Sequence, residues 1–137
     1  MGIRTRNLQN YLIQLKYSQT IAATVNADCA MVPFAGHIGN ICATVCQTGG
    51  GAADAVIDLN LNGTTIYGGA TKLTVDATTG VVTQATLTAN PTNVNAGDVL
   101  SMDIDTASAA IDTIVGIMIT RSGVGEFTQE IDQDEVV

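Results

Sequence analysis

Few side chains in this sequence are equipped for chemistry. There is one histidine, His37, and there are three cysteines, Cys29, Cys42 and Cys46. A Ser/His/Asp triad would have to use His37, which leads straight into Ile38-Gly39 at the start of a predicted strand. That is a poor position for a base that must sit between a nucleophile and an orienting carboxylate. Cys42 and Cys46 share parity within one predicted strand, about 13 Å apart at ~3.3 Å per residue. A disulfide needs Cα atoms within about 7 Å, so the two should not pair, and all three cysteines read as small buried thiols. Their spacing and the single histidine argue against zinc. Asp58, Asp103 and Asp105 fall on the outward faces of two predicted strands. If those strands pair, the carboxylates meet in an all-oxygen cluster of the kind calcium takes; otherwise they are ordinary solvated faces. Thr48-Gly-Gly-Gly-Ala-Ala-Asp54 lacks the Lys-Ser/Thr of a phosphate-binding loop and precedes no helical pattern, so it reads as a plain loop. Asn62-Gly63-Thr64 fits a glycosylation acceptor but reads here as a turn. No enzyme, metal or cofactor is expected from this set.

The elements that would position these residues are short strands. In Ala55–Ile66, Ile57, Leu59 and Leu61 alternate with Asp58, Asn60 and Asn62, the period of a strand with one buried face. Asn62-Gly63 then marks a type I′ hairpin, because both central residues need φ > 0. The return strand is Thr64 to Tyr67. Leu100, Met102 and Ile104 alternate with Ser101, Asp103 and Asp105 in the same way, after a tight turn at Asn95-Ala-Gly97-Asp98. In His37–Gln47, Ile41, Ala43 and Val45 face one way and Cys42, Thr44 and Cys46 the other. Thr113–Thr120 is almost wholly apolar and reads as a central strand covered on both faces. Ser18–Ala27 reads as a first strand with Ile21, Ala23 and Val25 in phase, and Asp28-Cys29-Ala30 as a break. Shorter strands are expected around Leu73–Val75 and Val82–Thr88.

One region departs from this period. Leu8, Tyr11, Leu12 and Leu15 fall at i, i+3, i+4 and i+7, one face of a helix over residues 4–17. At about 14 residues such a helix is marginal alone and must pack on something. The segment is therefore expected to be a helix or an anchoring arm.

At 137 residues, 46% hydrophobic but 4% aromatic and without Trp, the chain can build one core from Val, Ile, Leu, Ala and Met. The net charge of −8 opposes nucleic-acid binding. Arg4, Arg6 and Lys16 lie near the start, while Glu126, Glu130, Asp132, Asp134 and Glu135 crowd the end. The start does not read as a signal peptide, and no stretch has the length of a membrane span. About eight strands with turn signals between them indicate an all-β antiparallel sandwich or jelly roll. The expected organisation is an arm with a first strand (1–30), a jelly-roll domain (31–122) and an acidic tail (123–137).

From Val32 to Arg121 the sequence resembles a jelly-roll domain common in structural proteins of tailed bacteriophages. The resemblance is carried by Val32-Pro-Phe-Ala-Gly36 before a strand, Ala55-Val-Ile-Asp-Leu-Asn-Leu-Asn-Gly-Thr-Thr-Ile66, Asn95-Ala-Gly-Asp-Val-Leu-Ser-Met-Asp-Ile-Asp105 and the closing strand Thr113–Arg121. The loop before the Asp58 strand departs from the family's Pro-Thr-Gly. The resemblance implies a non-enzymatic capsid decoration (cement) protein. Such a protein binds the major capsid protein on the outside of the head at capsomer junctions, commonly as a homotrimer, and is part of the virion. The expected contact set is Arg4, Arg6, Leu8, Tyr11, Leu12, Leu15, Lys16 and Tyr17. The alternative the fold allows is a carbohydrate- or receptor-binding module of a head or tail fibre.

Overall fold

A computed structural model describes residues 10–49, 53–68, 72–85 and 92–121. The described residues form ten strands and no helix. The strands are β1 (Asn10–Thr20), β2 (Thr24–Met31), β3 (Gly36–Gln47), β4 (Ala55–Leu61), β5 (Thr64–Thr65), β6 (Leu73–Val75), β7 (Thr83–Ala85), β8 (Asn93–Val94), β9 (Val99–Thr106) and β10 (Ile111–Arg121). They make two antiparallel sheets. The first runs β1-β10-β3-β7, with β8 also paired to β3; the second runs β2-β9-β4-β5, with β6 also paired to β4. The inward residues of both sheets meet in one core, with Leu15, Ile41 and Ile117 from the first and Ile57, Leu59 and Leu100 from the second, all fully buried. This is the expected β-sandwich.

The helix expected over residues 4–17 does not form where the chain is described. Asn10–Thr20 is a strand paired along its length with β10, from Asn10 opposite Thr120 to Tyr17 opposite Thr113. Two periods compete in this segment, and the period-two set Ile13, Leu15, Tyr17 is the one that is buried. A short helix would bury one narrow stripe, whereas the strand also satisfies its backbone on β10. At the sheet's free edge, the Asp28 carboxylate accepts from the Lys16 backbone N–H at 2.7 Å, which blunts an otherwise open ladder.

The neighbouring expectations shift accordingly. Ser18–Ala27 is not one strand: the chain leaves β1 after Thr20 and enters β2 at Thr24. Ile21 is buried but Val25 is 75% exposed. Asp28, Cys29 and Ala30 lie within β2 rather than in a break. Both strands are hydrogen-bonded into the sandwich, β1 to β10 and β2 to β9.

The hairpin turn forms as read, but the return strand stops at Thr65 and does not run to Tyr67. Asn62 (φ 50°) and Gly63 (φ 85°) take the left-handed conformation, and Thr64 and Thr65 return opposite Leu61 and Asn60. Asn95–Asp98 is a tight turn closed by an Asp98 N–H to Asn95 carbonyl bond of 3.1 Å, with Gly97 at φ 90°. β10 is central, between β1 and β3, but it is not covered on both faces. Its inward residues Val115, Ile117 and Ile119 are fully buried, while Ile114, Gly116 and Met118 are only half-buried.

Candidate functional site

Strand parity divides the expected contact set. In β1, Leu15 is fully buried and Tyr17 is 9% exposed, so both belong to the chain's own core. The Tyr17 hydroxyl accepts from Gln19 Nε2 at 2.6 Å. Leu12 (52% exposed) and Lys16 point outward, and Tyr11 (48% exposed) lies at the strand's end. Tyr11 meets Phe34 edge-on, ring centroids 6.0 Å apart, and the Arg121 guanidinium lies 5.2 Å from the Phe34 centroid. Arg4, Arg6 and Leu8 lie outside the described residues. The structure therefore does not gather the set into one surface.

Of the three carboxylates, Asp58 departs from the expectation of a solvated face, while Asp103 is half-buried and Asp105 exposed. Pairing of β4 with β9 sets Asp58 opposite Asp103 and Asn60 opposite Ser101. Asp58 and Asn60 are each 7% exposed. Asp58 accepts from Thr65 Oγ1 at 2.5 Å and pairs with Lys72 Nζ at 3.0 Å. The same ammonium lies 2.5 Å from Asp105 Oδ2. Asp103 accepts from Asn60 Nδ2 at 2.9 Å and from the Asn26 backbone N–H at 2.7 Å. The burial arises because the chain after the hairpin returns along β4, bringing Thr65 and Lys72 over it. The hydrogen bonds to Asp105 and Asp58 raise the Lys72 pKa. The cluster's cation is thus an ammonium belonging to the chain. Among the described residues no three His, Cys, Asp or Glu side chains converge on a metal position. Tyr67 is 5% exposed and its hydroxyl has no hydrogen-bond partner; burial, then the Asp58 charge, push its pKa up.

The cysteines are not the three buried thiols that the sequence suggested. Cys29 and Cys46 are exposed and Cys42 is half-buried, because all three stand on outward positions of their strands. His37 lies in β3 opposite Thr120 of β10 and Asn93 of β8. Within the glycine-rich loop, Gly49 approaches the Ala109 carbonyl too closely for any Cβ. Thr48 and Thr79 exchange backbone-to-hydroxyl bonds of 2.6 Å there, so this part of the loop is a packing joint.

What the sequence reading missed is a groove on the outside of the first sheet. It has a volume of about 360 Å³ and is lined by Leu12, Gln14, Asn40, Cys42, Ala43, Thr44, Val82, Ile114, Gly116 and Met118. Its signal was present: Ile114 and Met118 stand at outward positions in an unbroken apolar run, and Leu12 joins them once residues 10–20 are read with a period of two. Among the described residues no charged one lines the groove.

No protein-family model matches the chain, and no curated protein matches it in sequence. Solved structures match in fold. A chain of the acid-stable capsid of Helicobacter pylori bacteriophage KHP30 superposes with a TM-score of 0.51 at 10% identity, covering 81% of this chain and 86% of that one. The carbohydrate-binding module CBM36, in complex with calcium and xylotriose, gives a TM-score of 0.44 at 16% identity, covering 77% of this chain and 97% of that one. The catalytic unit of an α-1,3-glucanase from Streptomyces thermodiastaticus gives 0.47 at 16% identity over 82% of this chain, which spans only 26% of that enzyme's chain. The likeness to the KHP30 capsid chain is one of fold alone.

Proposed function

We propose that this chain is a non-enzymatic structural protein of a bacteriophage virion, of the capsid decoration type. In this reading many copies sit on the outer surface of the head, as homotrimers where capsomers of the major capsid protein meet. Apolar surface buried at each contact, at about 25 cal/mol per Å², opposes the outward pressure of packaged DNA. The observation that carries the reading is the sandwich's likeness to a chain of the KHP30 capsid, 86% of which it covers. The strand-and-turn resemblance of Val32–Arg121 to phage jelly rolls supports it independently.

The sugar-binding alternative depends on exposed aromatic platforms. Among the described residues Tyr17 and Tyr67 are buried, and Phe34 is occupied by Tyr11 and Arg121. Tyr11 alone remains as an exposed ring. A saturable hit on a glycan array, lost in Tyr11→Ala, would favour that alternative.

Electron microscopy of phage particles containing this chain tests the proposal. Density for the sandwich is expected outside the head, at capsomer junctions. Its location on the tail, or absence from the particle, would overturn the reading. Deleting residues 1–17 is not a usable test of an anchoring arm, because it removes Ile13, Leu15 and Tyr17 from the core. Leu12→Glu and Lys16→Glu keep the core intact and ask the same question.

A further inference from the structure

We infer that the outer face of the first sheet is a contact surface for a second copy of this chain. Three observations lead there. The first is shape. Gly116 forms a low floor at mid-strand, where even an added Cβ would already touch Leu12 Cδ1 at 3.4 Å. Beside this floor stand two prominent apolar side chains, Leu12 (52% exposed) and Val82 (58% exposed), with Ile114 and Met118 half-buried along the groove. One face therefore presents both the knob and the hole of an apolar contact, and a second copy supplies the matching pair. The second is charge. A chain of net charge −8 repels its own copies, and among the described residues no charged one lines this groove. The opposite face of the sandwich carries Asp58, Asp103 and Asp105 against the single Lys72. Two copies meeting there would set carboxylate against carboxylate, whereas the described lining of the first-sheet groove holds no carboxylate, and the outward charge beside it, Lys16 opposite Ile114, is a cation. The third is geometry. Antiparallel sheets pack face to face at about 10 Å, with side chains interdigitating; here Leu12, Val82, Ile114 and Met118 supply the apolar contacts, with Gln14, Asn40 and Thr44 beside them. The inference does not rest on the capsid reading, since a chain located on a tail would keep the same face.

The test is light scattering on the full chain over a range of concentrations, with Leu12→Glu, Val82→Glu and Gly116→Val beside a second-sheet control, Thr74→Glu. Leu12, Val82 and Thr74 are exposed, so their substitution spares the core. The wild type and the control are expected to dimerise with concentration, since a self-complementary face closes at two copies. Each groove variant is expected to associate at least about tenfold more weakly. Gly116→Val acts by filling the hole without adding charge, so its effect separates shape from charge. Alkylation gives a second measure. Cys42 lines the groove, while Cys29 and Cys46 are exposed outside it and serve as references. Cys42 alone should become several-fold slower to alkylate as concentration rises. A wild type that stays monomeric overturns the inference. So does association that the groove variants leave unchanged, or groove variants that lose binding to phage heads while the wild type never self-associates, which would assign the groove to the capsid.

Discussion

On the second sheet, outward Asp58 and Asn60 are buried and each has a hydrogen-bond partner: Thr65 and Lys72 for the first, Asp103 for the second. On the first sheet, outward Leu12 and Val82 are exposed, and Ile114 and Met118 are half-covered. Both sheets contribute equally apolar inner faces to one core. The difference lies in how the middles of the outer faces are finished, since toward its ends the second sheet also exposes Val25, Met31 and Val99. A polar outer face saturated by its own chain has little left to offer a partner, since exchanging its bonds gains little. An apolar outer face gains by being covered. The comparison assigns stability to one side of the sandwich and association to the other.

The largest test of that division lies within β10, where successive residues face opposite ways. Ile117 is fully buried, so Ile117→Ala should cost about 2–5 kcal/mol in chemical denaturation. Met118, next in sequence, lines the groove. Met118→Ala should change stability by less than about 1 kcal/mol while weakening self-association. A comparable loss of stability at both positions would mean that the outer face is part of the folded core and not a docking surface.

On the polar side, Asp58→Ala leaves Thr65 and Lys72 without their shared acceptor. Lys72 keeps Asp105, so the loss falls on the half-buried Thr65 hydroxyl; the substitution should cost about 1 kcal/mol, the usual worth of one hydrogen bond, and leave association unchanged. An Asp58→Ala protein that unfolds at the wild-type denaturant midpoint would show the network to be ornamental. Tyr67→Phe probes the one buried hydroxyl without a partner. Removing it deletes no hydrogen bond, so stability should hold or rise by up to about 1 kcal/mol. A clear loss in thermal melting would mean that the hydroxyl has a partner in solution.

The fold was largely legible because its strands alternate cleanly. Ile57/Leu59/Leu61 and Leu100/Met102/Ile104 announced their faces, and Asn62-Gly63 announced the hairpin. Residues 10–20 were not legible, because Tyr11, Leu12 and Leu15 fit a helix as well as Ile13, Leu15 and Tyr17 fit a strand, and only the long-range pairing with β10 decides. The burial of Asp58 was hidden for a similar reason. Alternation says which face a side chain takes but not whether later residues, here Thr65 and Lys72, will cover it. The cysteines were misread because small thiols are usually buried: the parity of Cys42 and Cys46, opposite to Ile41, Ala43 and Val45, already placed them outside, while Cys29 was read as a break and not as part of a strand. The groove was hidden within an apolar run that looked like a strand covered on both sides.

The smallest effects concern pH, and they sharpen the contrast because the titrating bonds lie on the second sheet and its turns. Asp98 accepts from Asn62 Nδ2 at 3.1 Å and from the Asn95 backbone N–H at 2.8 Å, which lowers its pKa below the ordinary 3.8. Asp76 is lowered by the Thr78 backbone N–H and hydroxyl. A carboxylate whose folded value is depressed contributes stability above its ordinary value, and that contribution fades as pH falls through the folded one. Lys72 is raised above its ordinary 10.5, so its contribution is complete below 10.5 and fades as pH rises through the folded value. Stability should accordingly be level between these limits and fall at both ends. Asn62→Gly keeps the turn's left-handed conformation while removing the amide donor. It should therefore flatten the acid limb of a plot of denaturation midpoint against pH, and Lys72→Met should flatten the alkaline limb. Among the described residues no charged one lines the groove of the first sheet, so at high salt, where the repulsion of the net charge is screened, self-association should hold steady between the same limits. An association constant that tracked either limb would tie the two faces together and remove the division between them.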